Sequence, residues 1–251
     1  ALDSAGKIAT SNKKAAMFWR ISGGVTLGIG VWSMHFIGML AMKMPVPMSY
    51  HFALTLVSLL AAILASTLAI NIAVAGSTLS AKRLTAATLL LSSGVVTMHY
   101  VGMAALIMHG SIVWNIPRIV VSIVIALLAS SVGLWLAFSL RLTTKRVLLC
   151  RIAAAMTMGV AIAAMHYTGM SAASFASHMP EMAGHGHEVG EEGLSIWVSA
   201  ITLLLLGTML VISMVDSQLR TTRLTENLQQ LNKQLEQQAR YDGLTGLANR
   251  S

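Results

Sequence analysis

The chain has 251 residues with 17 Lys+Arg against 9 Asp+Glu, a net charge of +8, 55% hydrophobic residues, 10% charged residues, 17 Met and one Cys. Soluble domains carry about 25% charged residues, so this composition argues against a water-soluble fold. The lone Cys150 rules out an internal disulfide framework, a cysteine zinc site and an iron–sulfur cluster, each of which needs several thiolates. The expected class is an all-α polytopic transmembrane helical bundle.

Crossing a bilayer takes about 20 consecutive apolar residues, and that requirement predicts six spans at 17–42, 52–75, 84–108, 119–140, 147–175 and 194–215. Residues 1–16 precede them as an N-terminal segment. Small residues inside the spans (Gly23, Gly24, Gly28, Gly30, Ser92, Ser93, Gly94) suit helices that pack closely in lipid. Pro45 and Pro47 prevent the first hairpin from continuing as helix. After Asp216 the sequence turns polar, and Leu224, Leu228, Leu231 and Leu235 recur in steps of four and three. This is a coiled-coil seam, predicting a signalling helix over 216–240 that joins two copies of the chain through 217–240. The alternative is a short solvated helix.

Fifteen of the seventeen basic residues fall before the first span, after the second, after the fourth or after the sixth; the alternate loops hold only Lys43 and Arg118 with four acids. By the positive-inside rule both visible ends are cytoplasmic, and the loops 43–51, 109–118 and 176–193 face out. The pI of about 10.1 therefore reports topology. The basic residues form no patch, and no nucleic-acid partner is expected.

One pattern occurs three times: Met34-His35-Phe36-Ile37-Gly38-Met39, Met98-His99-Tyr100-Val101-Gly102-Met103 and Met165-His166-Tyr167-Thr168-Gly169-Met170, at spacings of 64 and 67 residues. Each copy lies near the outward end of an odd-numbered span, so all three can meet in one layer. Within a copy the His and the second Met are four apart, on one helix face (His35 with Met39, His99 with Met103, His166 with Met170), while the first Met points about 100° away. Gly38, Gly102 and Gly169 remove a side chain beside the imidazole and let another helix approach. Packing alone explains one intramembrane His with gap-filling Met. Three equivalent pairs point to a bound metal or metal-held ligand, because ionisable groups inside a membrane are costly and mark sites. Imidazole with thioether and no carboxylate suits copper, as Cu(I) or Cu(II), with haem the second choice; an open coordination position could take a diatomic gas.

At these residues the sequence resembles the MHYT domain, a bacterial integral-membrane sensor module named for Met-His-Tyr-Thr, which Met165 to Thr168 spell in full. The resemblance covers about residues 17–215. It implies three motif helices near the outer face of the cytoplasmic membrane, copper binding and sensing of oxygen, carbon monoxide or nitric oxide. The implied ligands are His35, His99 and His166 with the Met residues of each copy, Met34, Met98 and Met165 included. Phe36 stands where Tyr100 and Tyr167 carry a hydroxyl, so that hydroxyl has no role common to the three copies. The family is described with seven spans, which implies that one N-terminal helix is missing here.

The last residues, Tyr241-Asp242-Gly243-Leu244-Thr245-Gly246-Leu247-Ala248-Asn249-Arg250, resemble the opening of a GGDEF diguanylate cyclase domain. The resemblance implies that 241–251 begins such a domain, that this chain alone makes no cyclic di-GMP, and that the intact protein makes it or degrades it with a further phosphodiesterase domain. The outer loop with His178, Met179, Met182, His185, His187, Glu188, Glu191 and Glu192 could capture metal, but its spacing has no fixed geometry and an acidic, Gly-rich solvated loop is the better reading. His51, Met44, Met48, Met108 and His109 add soft donors on the same side, and Met42, one turn beyond Met39, is the best of these extra ligands. Two rival functions are a transporter or channel for copper or another small solute, and a structural anchor that only dimerises the cyclase. The first requires donors spread through the bilayer depth, whereas these cluster at one end.

Overall fold

The computed structural model describes residues 2, 4, 7, 8, 13–42, 49–74, 76, 78–107, 111–140, 147–176 and 188–240. Among the described residues lie the long helices α1 (Lys13–Leu40), α2 (Phe52–Val74), α3 (Ala81–Ala104), α4 (Ile116–Ser139), α5 (Val147–Ser171) and α6 (Glu191–Arg240), with the short strands β1 (Ser49–His51), β2 (Leu106–Ile107), β3 (Ser111–Trp114), β4 (Ala173–Ala176) and β5 (Glu188–Gly190) between them. All six helices are long and apolar enough to cross a membrane. The fold is therefore the all-α bundle expected. The chain divides into two compact units, residues 1–204 and 205–251.

In the first unit, helix boundaries follow local chemistry. Ser80 caps α3 by accepting from the Arg83 N–H, and Asn115 caps α4 by accepting from the Arg118 N–H, with Pro117 in the first turn, where a missing N–H costs nothing. Free carbonyls at helix ends are expensive near lipid. Arg83 answers this for α2, donating to the Ile72 carbonyl at 2.7 and 3.1 Å and to the Ala73 carbonyl at 3.1 Å. Arg151 does the same after α4, donating to the Leu140 carbonyl at 3.0 and 3.2 Å.

Two spans are shorter than their apolar runs. α3 stops at Ala104 and α5 at Ser171, and the residues beyond them form β2 and β4. β1 pairs antiparallel with β2 (Tyr50 opposite Leu106) and with β5 (Tyr50 opposite Val189), while β3 pairs with β4 (Trp114 opposite Ala173). Apolarity alone does not separate a last helical turn from a strand, and here sheet pairing takes over the backbone groups. Conversely α1 starts four residues before the apolar window, because Lys13-Lys14-Ala15-Ala16 is polar at first but contains nothing that breaks a helix.

Close approach of small residues sets the helix packing. A Cβ on Gly24 would collide with Thr67, one on Gly28 with Ala62 and Ile63, and one on Gly94 with the Ala65 Cβ, so α2 lies directly against α1 and α3. The core concentrates at the motif end, where Trp32, Phe36, Met39, Tyr50, Met98 and Met103 are all buried in one cluster. The even helices carry a repeat of their own: Ser58 and Ser66 on α2, and Ser122 and Ser130 on α4, are all buried.

In the second unit, the remainder of α6 exposes Leu210, Val211, Met214, Leu219 and then Leu224, Leu228, Leu231 and Leu235. An Asp216–Arg220 ion pair at 3.0 Å, one turn apart, staples it locally. No helix break marks residue 216. The segment 241–251 lies outside the described residues.

Replacing Gly94 by Val should force α3 away from Ala65. Overpacking of this kind costs about 1–3 kcal/mol. The expected result is a thermal midpoint lowered by several degrees in detergent, measured by differential scanning fluorimetry.

Candidate metal centre

The three motif helices deliver their histidines to one point. His35, His99 and His166 each lie five residues before the last residue of α1, α3 and α5, so equal helix ends put the three imidazoles at one level. They are exposed by 0%, 1% and 1%. The Nδ1 atoms form a nearly equilateral triangle: His35 to His99 is 3.1 Å, His35 to His166 is 3.1 Å, and His166 to His99 is 3.4 Å. The rings stand almost perpendicular to one another, at 80°, 85° and 87°.

The opposite edges of the rings explain the motif glycines. Each imidazole rests with its Nε2 over the glycine of another copy: His35 over Gly102, His99 over Gly169 and His166 over Gly38. A Cβ at any of the three would overlap the Nε2 it faces. The lodging is cyclic, copy one on two, two on three and three on one. Each copy thus gives a histidine to one neighbour and a seat to the other.

The aromatic after each His packs edge-on against it, Phe36 at 4.8 Å, Tyr100 at 4.8 Å and Tyr167 at 5.1 Å between ring centroids. Their surroundings differ. Phe36 is fully buried against Trp32 and Tyr50, whereas Tyr167 is 58% exposed. The Tyr100 hydroxyl lies 2.8 Å from Ser122 Oγ, and Ser122 donates to the Ile119 carbonyl. In the first copy Trp32 Nε1 donates to Ser58 Oγ at 3.1 Å. Ser58 and Ser122 do not stand out in the sequence. Their separation of 64 residues, equal to that between His35 and His99, is the signal that marks them as part of the repeat.

The methionines surround this centre in the apolar core. Met39 and Met103 are fully buried, Met98 and Met165 nearly so, Met170 packs against the core and Met34 is half-buried. Met42 follows the end of α1, its N–H donating to the Met39 carbonyl. His51 is exposed on β1, opposite Glu188 of β5, and Cys150 is exposed. Met44, Met48, Met108, His109, His178, Met179, Met182, His185 and His187 lie outside the described residues.

Chemically the cluster offers three converging nitrogen donors, a set that could hold a metal ion. Each Nδ1 has a single in-plane position, filled by a lone pair or a proton, and three such positions crowd together here. The Nε2 atoms are buried and find no hydrogen-bond partner among the described residues. Among those residues the three histidines are also the one group of three or more His, Cys, Asp or Glu that could hold a metal ion. An ion bonded to three imidazole nitrogens at about 2.0 Å requires them about 3.3–3.5 Å apart, close to the separations found.

Comparison with known proteins agrees with the repeat. The family model MHYT, described as a bacterial signalling protein N-terminal repeat, matches residues 28–87, 93–150 and 159–223, one motif to each match. The chain is 43% identical over its whole length to the bifunctional diguanylate cyclase/cyclic di-GMP phosphodiesterase MucR of Pseudomonas aeruginosa, of which it covers 36%. It is 33% identical over 78% of its length to the signalling protein YkoW of Bacillus subtilis, covering 24% of that protein. It is 29% identical over 93% of its length to the cyclic di-GMP phosphodiesterase NbdA of P. aeruginosa, covering 31%. The chain thus spans about a third or less of the length of these relatives, and no solved structure matches it. With three motif copies closing one buried cluster and the family model matching most of its length, the chain belongs to the MHYT family and is a multi-pass membrane signalling domain.

Proposed function

We propose that the bundle is the sensor of a cyclic di-GMP signalling protein and that it senses through one copper ion held by His35, His99 and His166. The observation that carries this reading is the Nδ1 triangle with edges of 3.1–3.4 Å. All three donors are buried, and no carboxylate joins them among the described residues. A buried site without a counter-charge favours the ion of smaller charge, which together with ligand softness selects Cu(I). Met39, Met103 and Met170 lie on the same helix faces as the histidines and supply thioethers for a further position, with Met34, Met98, Met165 and Met42 as the outer reserve. The triangle favours a single ion over a haem, because imidazoles this close, each backed by the next helix, leave no slot for a porphyrin. When bound, the metal supplies a coordination position for a diatomic gas. The protein's part is to hold the three rings, keep water out and fix which nitrogen faces inward.

The distribution of Lys and Arg supports a cytoplasmic location for both visible ends and an outward location for the cluster. The exposed leucines from Leu224 to Leu235 support a homodimer through the 217–240 helix. The enzymatic names of the relatives support an output in cyclic di-GMP synthesis or degradation.

Three outcomes test this reading. Metal analysis of the purified chain should find about one copper per chain, and replacing His35, His99 and His166 together by Ala should remove it while the helical circular dichroism persists; copper retained by that variant overturns the assignment. Gly38→Ala, Gly102→Ala and Gly169→Ala should each weaken copper binding by about 10–100-fold, the range for residues that orient metal ligands, and by similar amounts, as measured by competition with a Cu(I) chelator. Replacing Leu228 and Leu231 together by Asp should lower the yield of crosslinked dimer in membranes and leave copper content unchanged.

A further inference from the structure

α6 meets the other helices along a narrow stripe. Leu194 is 3% exposed and Val198 1%, and Thr202 continues the same face at the same spacing of four, while Ile196, Trp197, Leu203 and Leu204 between and beyond them are exposed. At the end of this stripe Thr202 Oγ1 lies 2.6 Å from Ser33 Oγ on α1, two residues before His35. Ser33 is 3% exposed.

The direction of this hydrogen bond is fixed by its surroundings. Thr202 Oγ1 also lies 2.6 Å from the Val198 carbonyl, which can only accept, so the single threonine proton is used there. Ser33 is therefore the donor to Thr202. The contact has no counterpart in the other copies: the residues 64 and 131 positions further on are Thr97 and Ala164, and both are exposed. On a helix, Ser33 and His35 are about 200° apart, so one turn of α1 presents an imidazole to the cluster and a hydroxyl to α6 on opposite sides.

We propose that the Ser33–Thr202 hydrogen bond is the contact by which a change at the three-histidine cluster reaches α6, so that Ser33 and Thr202 position the output helix and take no part in holding the metal. The inference rests on the sensor reading above. Any change in how His35 sits over Gly102 moves the last turns of α1, and Ser33 moves with them. Inside apolar spans a hydroxyl pair keeps its geometry through that movement, because lipid offers neither oxygen a water to turn to.

Both partners can be removed cleanly. Ser33→Ala leaves Thr202 bonded to Val198, and Thr202→Val leaves the serine hydroxyl free to donate to the carbonyl four residues back on its own helix. Neither variant strands a buried donor, and copper content serves as the check that the cluster is intact. The experiment measures cyclic di-GMP in cells that carry the whole protein, with copper supplied or chelated, for the parent, the triple His→Ala variant, Ser33→Ala, Thr202→Val and Thr202→Ser. The expected result is that Ser33→Ala and Thr202→Val keep their copper but lose the response, matching the triple His→Ala variant within twofold under both conditions, while Thr202→Ser responds like the parent. A parent-like response in Thr202→Val overturns the proposal alone, as does a Thr202→Ser that behaves like Thr202→Val. Copper lost from Thr202→Val also overturns it, since the contact would then build the cluster. A parent indistinguishable from the triple His→Ala variant overturns the sensor reading and this inference together.

Discussion

The seating of each imidazole on the glycine of another motif helix is the constraint on which the structure turns. A histidine inside a membrane bundle must find room as well as a polar partner, and here room is made by deleting a side chain on the next helix. Because α1, α3 and α5 each give one ring and one gap, their positions are fixed mutually. The Nε2 edges are pressed outward against backbone, so the Nδ1 edges have no direction left but inward. The donor triangle is thus a by-product of packing that is already closed, so its three nitrogens are held in place without dedicated loops.

The remaining helices support this arrangement. α2 lies tightly between α1 and α3 through Gly24, Gly28 and Gly94, and the buried serines of α2 and α4 hold the aromatic rings beside the motifs. The small strands tie the motif ends together across the repeats, β1 between β2 and β5, and β3 with β4. Position of the histidines therefore depends on hydrogen-bonded backbone on one side and on glycine contacts along the helices.

Much of this is legible in the sequence, for identifiable reasons. Six apolar runs separated by charged loops leave little choice of class, and the thrice-written motif singles out His35, His99 and His166 without any structure. What periodicity cannot give is azimuth between helices: that His35 faces Gly102 and not Gly169, or that Nδ1 and not Nε2 turns inward, depends on tertiary contact. Hydropathy overextends the ends of α3 and α5 because Leu106, Ile107 and Phe175 are as apolar as the helix before them, and strand pairing is invisible to it. Ser58 and Ser122 escape notice because a serine in an apolar span reads as packing until its aromatic partner is seen.

The cyclic order also fixes how many copies the architecture can have. Repeat proteins that stack in a line grow or shrink by whole units, since each unit needs only its neighbours and the ends are capped. A ring of three has no end: deleting a unit strands one histidine without a seat and one glycine without an occupant, and inserting a fourth opens the triangle beyond what one ion can span. The three copies therefore work only as a complete set, since the closure of each histidine–glycine pair depends on the other two.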